Sequence, residues 1–169
     1  MKTTPQALSS WDDAARLVRE TGQRGGTVVF TNGVFDLLHP GHVRYLAEAR
    51  AMGSLLVVAI NSDASVRANK GPDRPLNQEH ERAEVLLALA SVDAVVVFDD
   101  PTPYAVISAI QPDILVKGED WSADAIVGRD IVEARGGRVV RLPLEAGLST
   151  TELIRRVRSH QAPMRQSGG

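Results

Sequence analysis

Two of the chain's four histidines, His39 and His42, stand three positions apart with Pro40 and Gly41 between them. They close the stretch Thr31-Asn32-Gly33-Val34-Phe35-Asp36-Leu37-Leu38-His39-Pro40-Gly41-His42, which leaves an apolar run and enters a helical pattern. Gly33 permits a tight turn or a close backbone approach. Proline is tolerated in a first helical turn, so a helix is expected to open at Pro40. The free N–H groups and the dipole of a helix start favour an anion, and two imidazoles there add donors. The chemistry this suggests is phosphate handling during nucleotidyl transfer. Neither a P-loop nor the three-glycine dinucleotide fingerprint is present. Two other readings use the same residues. The histidines could only cap and pack, or Asp36, His39 and His42, recurring every third residue, could ligate a metal.

The cations are unevenly spread. Of 19 basic residues, 16 are Arg and three are Lys: Lys2, Lys70 and Lys117. The two internal lysines each precede a glycine, which suggests two sites that need a compact ammonium instead of a planar fork. Lys70 is expected on the loop after the second strand, from which it could reach a phosphate. Lys117 follows the fourth strand, where it could bind substrate or pair with Asp36, Glu119 or Asp120. Arg82 lies inside a helical pattern, with a surface ion pair to Glu79 or Glu81 as its alternative. Ser149, Thr150 and Thr151 stand together at an expected helix N-terminus, where hydroxyls and N–H groups can meet phosphate.

These residues need a scaffold, and the apolar runs supply one. Thr27–Thr31, Leu55–Ile60, Ala94–Phe98, Ile114–Val116 and Arg138–Leu142 read as strands covered on both faces. Between them run amphipathic stretches, Pro40–Met52, Gln78–Ala90 capped by Asn77, Tyr104–Ile110, Ala125–Ala134 and Ser149–Arg158. The alternation predicts an α/β, Rossmann-like doubly wound sheet of about five parallel strands flanked by helices, with ligands beyond the carboxyl ends of the strands. Residues 27–160 are expected to form this domain. Residues 1–26 would add a helix over Trp11–Glu20 with Trp11 as its core anchor, and 161–169 a disordered tail.

The motifs also carry a family resemblance. Thr31-Asn32-Gly33-x-Phe35-Asp36-x-Leu38-His39-x-Gly41-His42 resembles the His-x-Gly-His signature of the cytidylyltransferase-like nucleotidyltransferases. Asn61-Ser62-Asp63, Asn69-Lys70-Gly71, Arg74-Pro75-Leu76-Asn77, Arg82, Val116-Lys117-Gly118-Glu119-Asp120-Trp121 and Leu148-Ser149-Thr150-Thr151 follow in order. Together they look most like the adenylyltransferase half of the bifunctional heptose enzymes of lipopolysaccharide biosynthesis. The activity implied is transfer of AMP from ATP to D-glycero-β-D-manno-heptose 1-phosphate, giving ADP-heptose and pyrophosphate. The resemblance implies that His39, His42 and Lys70 act on the phosphates, with His42 nearest the α-phosphate. It assigns the nucleotide to Thr31, Asn32, Gly33, Phe35, Gly41, Gly118, Asp120, Ser149, Thr150 and Thr151, and the sugar phosphate to Asp36, Arg82 and Lys117. Magnesium is expected with ATP, held mainly by phosphate oxygens and water and without a dedicated set of protein ligands.

Two departures bear on the substrate. The heptose enzymes carry Lys-Gly-Gly-Asp where this chain has Lys117-Gly118-Glu119-Asp120. The glycerol-phosphate cytidylyltransferases resemble it at Asp120-Trp121, but their arginine before the last motif is absent from Leu144-Glu145-Ala146-Gly147. A cytidylyl- or adenylyltransferase for another phosphorylated alcohol, such as glycerol 3-phosphate, is therefore the alternative enzyme. A non-catalytic nucleotide-binding regulator is the alternative of another class.

Composition sets the outer bounds. The net charge of -2 argues against a nucleic-acid partner. No apolar run approaches a membrane span or a signal peptide. The absence of cysteine removes thiol nucleophiles and thiolate metal sites and fits the cytoplasm. At 169 residues one domain is expected, with the kinase fused to it in those enzymes supplied as a separate protein. A homodimer, with the N-terminal helix contributing, completes the expectation.

Overall fold

Five apolar runs become five parallel strands: β1 (Val28–Gly33), β2 (Leu55–Asn61), β3 (Ala94–Phe98), β4 (Ile114–Gly118) and β5 (Arg138–Leu142). The computed structural model describes residues 10–143 and 147–159. Lys2, the expected tail over 161–169 and Leu144-Glu145-Ala146 of the second departure lie outside the described residues.

The strand order is β3-β2-β1-β4-β5. The chain builds outward from β1 to one edge through β2 and β3, then crosses back to place β4 and β5 on the other side. That reversal opens a crevice beyond the carboxyl ends of β1 and β4, the place where such sheets bind ligands.

Alternate residues along each strand feed two cores. Val28, Phe30, Val57, Ala59 and Val96 join Ala14, Val106, Ile107, Ile110 and Val132 on one face. Val29, Leu56, Val58, Ile60 and Val95 join Leu46, Ala49, Ala83 and Leu86 on the other. The helices that cover the first face are α1 (Trp11–Gln23), α5 (Tyr104–Ile110) and α6 (Arg129–Ala134). The second face carries α2 (Pro40–Ala51) and α4 (Glu79–Ala88). Trp11 packs against the first core and donates its indole N–H to the Val97 carbonyl at 2.7 Å. This tryptophan thus serves the chain's own core.

Two local differences from the sequence reading matter for the site. Asp63–Lys70, expected as loop, is a helix, α3. Ser62 caps it, its Oγ accepting the Ser65 N–H at 3.1 Å, and Gly71 ends it at φ 95°. The capping serine and terminal glycine were visible in the sequence, but eight residues present too little apolar periodicity to reveal a helix. At α4 the cap is Gln78 instead of Asn77. Gln78 and Glu81 form a capping box, while the Asn77 side chain donates to the Asp36 carbonyl. The last helix, α7 (Thr150–Ser159), begins at the crevice.

Candidate active site

The turn that leaves β1 builds the floor of the crevice. Phe35 takes φ 48° and lies buried in the second core. Its ring crosses so close to Gly33 that an added Cβ there would meet Phe35 Cε2 at 2.9 Å. His39 is then extended (φ -137°, ψ 168°) and stands as the N-cap of α2, with Pro40 opening the helix. The two imidazoles stack, centroids 3.8 Å apart and planes inclined by 25°. Gly41 lets this happen, since a Cβ on it would meet His39 Nδ1 at 3.0 Å. Burial, with a smaller contribution from His39, pulls the pKa of His42 down to about 4. Its buried Nδ1 has no hydrogen-bond partner among the described residues.

A cavity of about 390 Å³ opens over this helix start. Asn32, Gly33, Phe35, Asp36, His39, Gly41 and His42 line it from β1 and α2. Gly118 and Asp120 line it from β4, Ser149, Thr150 and Thr151 from α7, and Lys70 from α3. The crossover therefore gathers thirteen of the sixteen residues expected at the site. Ser149 acts partly as an ordinary cap, its Oγ accepting the Glu152 N–H at 3.1 Å, and Thr150 Oγ1 donates to the Leu37 carbonyl at 3.2 Å. The Thr150–Leu37 bond seats the start of α7 against the β1–α2 turn, so that two helix N-termini face one cavity.

Three expected residues turn away from it. Thr31 is fully buried, and its hydroxyl shares a 2.8 Å hydrogen bond with Tyr45. Arg82 was expected to meet the sugar phosphate, with a surface ion pair as alternative, and does neither. It is 1% exposed, and its guanidinium donates to the carbonyls of Asn77, Val34 and Asn61 and to Asp63 Oδ1, all within 2.8–3.0 Å. It ties the ends of β1 and β2 to the starts of α3 and α4. Lys117 is 6% exposed and donates to Asn32 Oδ1 at 2.5 Å, beneath the cavity wall. Burial lowers its pKa to about 8, with Asp120 opposing. Its Nζ also lies 5.2 Å from the Trp121 ring centroid.

Asp36 reaches the cavity but spends its carboxylate on the chain. It accepts the Leu76 and Asn77 N–H groups at 2.9 Å and Arg74 Nε at 2.7 Å. Burial opposes its ionisation, yet these bonds outweigh burial and hold the carboxyl below its ordinary value. Asp36 is thereby turned from any metal shared with the histidines. Among the described residues no group of three or more His, Asp or Glu is placed to hold one.

The cavity also contains residues to which no site role was assigned from the sequence: Arg44, Tyr45, Glu48 and, although it stands in one of the motifs, Arg74. The first three follow Gly41 at helical spacing and so share its face of α2. That signal was available once Pro40 had set the start of the helix. Tyr45 is pushed up to about 12, chiefly by burial.

A parallel sheet reversing at β1, with stacked histidines and two helix starts over the switch point, describes a nucleotide-binding α/β domain. The family pattern described as Cytidylyltransferase-like matches residues 30–156, and the chain belongs to that family. Among curated relatives, the bifunctional protein HldE of Syntrophotalea carbinolica is 57% identical over 135 residues, 80% of this chain and 28% of that protein. HldE of Mesorhizobium japonicum is 54% identical over 153 residues, 90% of this chain and 31% of that protein. The chain thus spans less than a third of the length of these relatives. Among solved structures, the lipopolysaccharide core biosynthesis protein of Thermoplasma volcanium superposes with a TM-score of 0.60 at 28% identity. That match covers 72% of this chain and 98% of the other. Among the described residues no helix is long and apolar enough to cross a membrane.

Proposed function

We propose that this chain is an adenylyltransferase that joins ATP and D-glycero-β-D-manno-heptose 1-phosphate into ADP-heptose and pyrophosphate, acting in the cytoplasm. The observation that carries the reading is the stacked His39–His42 pair at the start of α2, facing the start of α7 across one cavity. High identity to proteins named HldE supports the choice of substrate.

An oxygen of the sugar phosphate attacks the α-phosphorus of ATP. The bond from that phosphorus to the oxygen bridging it to the β-phosphorus breaks, and the electron pair leaves with pyrophosphate. The nucleophile is already an anion, so no base has to remove a proton. The protein must instead bring anions together and meet the charge on the transferring phosphoryl oxygens. Burial holds His42 neutral without a ligand, and a bound polyphosphate draws it back towards the protonated, hydrogen-bond-donating form. Gly41 and the start of α7 offer backbone N–H groups, and Lys70 adds charge at the rim. Mg2+ enters with ATP, held mainly by phosphate oxygens and water.

The test is pyrophosphate release from ATP or CTP with heptose 1-phosphate or glycerol 3-phosphate as acceptor. ATP with heptose 1-phosphate is expected to be the fastest pair. Preference for CTP or for glycerol 3-phosphate would replace this reading with the alternative enzyme. ATP binding without pyrophosphate release for any acceptor would make the chain a regulator.

A further inference from the structure

Arg74 stands in the connection between α3 and α4, lines the cavity, and keeps 18% of its side chain exposed. Its Nε is bonded to Asp36 at 2.7 Å, and Asp36 is itself almost fully buried. The two terminal nitrogens of Arg74 have no hydrogen-bond partner among the described residues. The guanidinium is therefore anchored at one edge and open at the other. A planar fork held in this way suits two oxygens of one phosphate group.

The anchoring extends beyond one bond. Asp36 also accepts the N–H groups of Leu76 and Asn77, and Asn77 in turn donates its side-chain amide to the Asp36 carbonyl at 3.0 Å. The whole connection is pinned to the β1–α2 turn by one carboxylate. Arg74 is thus ordered before any ligand arrives, which lowers the entropy lost on binding.

Its position indicates which phosphate it would take. The two helix N-termini suited to the triphosphate belong to α2 and α7, above β1 and the β4–β5 side. Arg74 follows α3, which packs on β2, the neighbour of β1 on the side away from β4. In-line displacement requires the nucleophile to approach opposite the leaving pyrophosphate. A cation on the other wall is placed for the incoming phosphomonoester. We propose that Arg74 binds the phosphate of the acceptor, with Asp36 as the positioning residue that aims it. The inference rests on the adenylyltransferase reading for the identity of the acceptor, but not for the presence of the phosphate site.

The experiment uses the full chain, wild type and Arg74→Ala, with Arg74→Lys as the variant that keeps the charge. Acceptor KM is measured with heptose 1-phosphate. Affinity for a non-reacting ATP analogue, and for inorganic phosphate on the analogue-saturated protein, is measured by calorimetry. Arg74→Ala is expected to raise acceptor KM and weaken phosphate binding about 10- to 100-fold, the loss expected for a charge-assisted hydrogen bond. The analogue should bind within about twofold of wild type, because the proposal assigns its anions to the starts of α2 and α7. Arg74→Lys should lie between, and it carries the test if the alanine variant does not fold. Weaker analogue binding with acceptor KM unchanged would overturn the assignment, as would a lower melting temperature with both constants unchanged. If the wild type turns over no heptose 1-phosphate, the adenylyltransferase reading fails. The phosphate titration then decides the role of Arg74 on its own.

Discussion

Replacing Arg82 with methionine separates the buried clamp from a substrate contact. The side chain has no exposure, and its four hydrogen bonds serve three main-chain carbonyls and Asp63. Methionine keeps most of the volume but removes every donor, so cavity formation contributes little. Each buried acceptor left unpaired costs about 1–3 kcal/mol. Asp63 retains 19% exposure and Val34 borders the cavity, so water recovers part of the loss at both. A net destabilisation of about 3 kcal/mol follows, at the lower end for breaking a buried ion pair. For a chain of this length that lowers the thermal midpoint by about 6–12 °C. Differential scanning calorimetry measures the midpoint, and turnover measured well below it gives the acceptor KM. A midpoint within about 3 °C of wild type, with acceptor KM raised, would refute the clamp and return Arg82 to the substrate.

Other perturbations probe the site itself. His42→Ala is expected to lower turnover by about 10²–10³-fold, the cost of one lost donor to a transferring phosphoryl group. Unchanged turnover would remove His42 from the reaction. The unfolded chain binds a proton at His42 near pH 6.5 that the folded chain refuses until about pH 4. Stability without nucleotide should therefore fall as pH drops through that window. Urea midpoints at the two ends should differ more for wild type than for His42→Gln, and equal differences would refute the shift. Lys117→Met removes an ammonium that burial holds at about 8, below its ordinary 10.5. In the wild type this cost is relieved as pH rises from about 8 to 10.5, so at neutral pH the variant should melt no lower than wild type. Its turnover should fall about tenfold as Asn32 loses its partner. A lower melting temperature with full turnover would contradict that assignment.

Much of this site was legible along the chain because its parts are contiguous. The β1–α2 turn carries both histidines, the glycine that admits their stacking and the proline that opens the helix, all within ten residues. Local backbone rules suffice to read such a segment. The inner strands were equally plain, since burial on both faces leaves unbroken apolar runs such as Leu55–Ile60, whereas edge strand β5, expected to be covered on both faces, exposes Arg138 and Arg141. The order of motifs along the chain then sufficed to indicate the family.

What needed the fold was the direction in which each polar side chain points. Arg82 shares the buried face of α4 with Ala83 and Leu86. A charged residue on such a face reads as surface until the carbonyls that satisfy it are seen, and those come from Val34, Asn61 and Asn77 on three separate segments. Thr31 and Lys117 turned inward for the same reason, each finding a partner, Tyr45 or Asn32, that no sequence spacing connects to it. Asp36 and Arg74, thirty-eight positions apart, became one unit only when α3 returned the chain to the β1–α2 turn. Residue types and local periodicity determine elements and place the motifs at their ends, because those depend on neighbours along the chain. Which donor is spent on the scaffold and which is left for a ligand depends on partners far away in sequence, and only the packed structure brings those together.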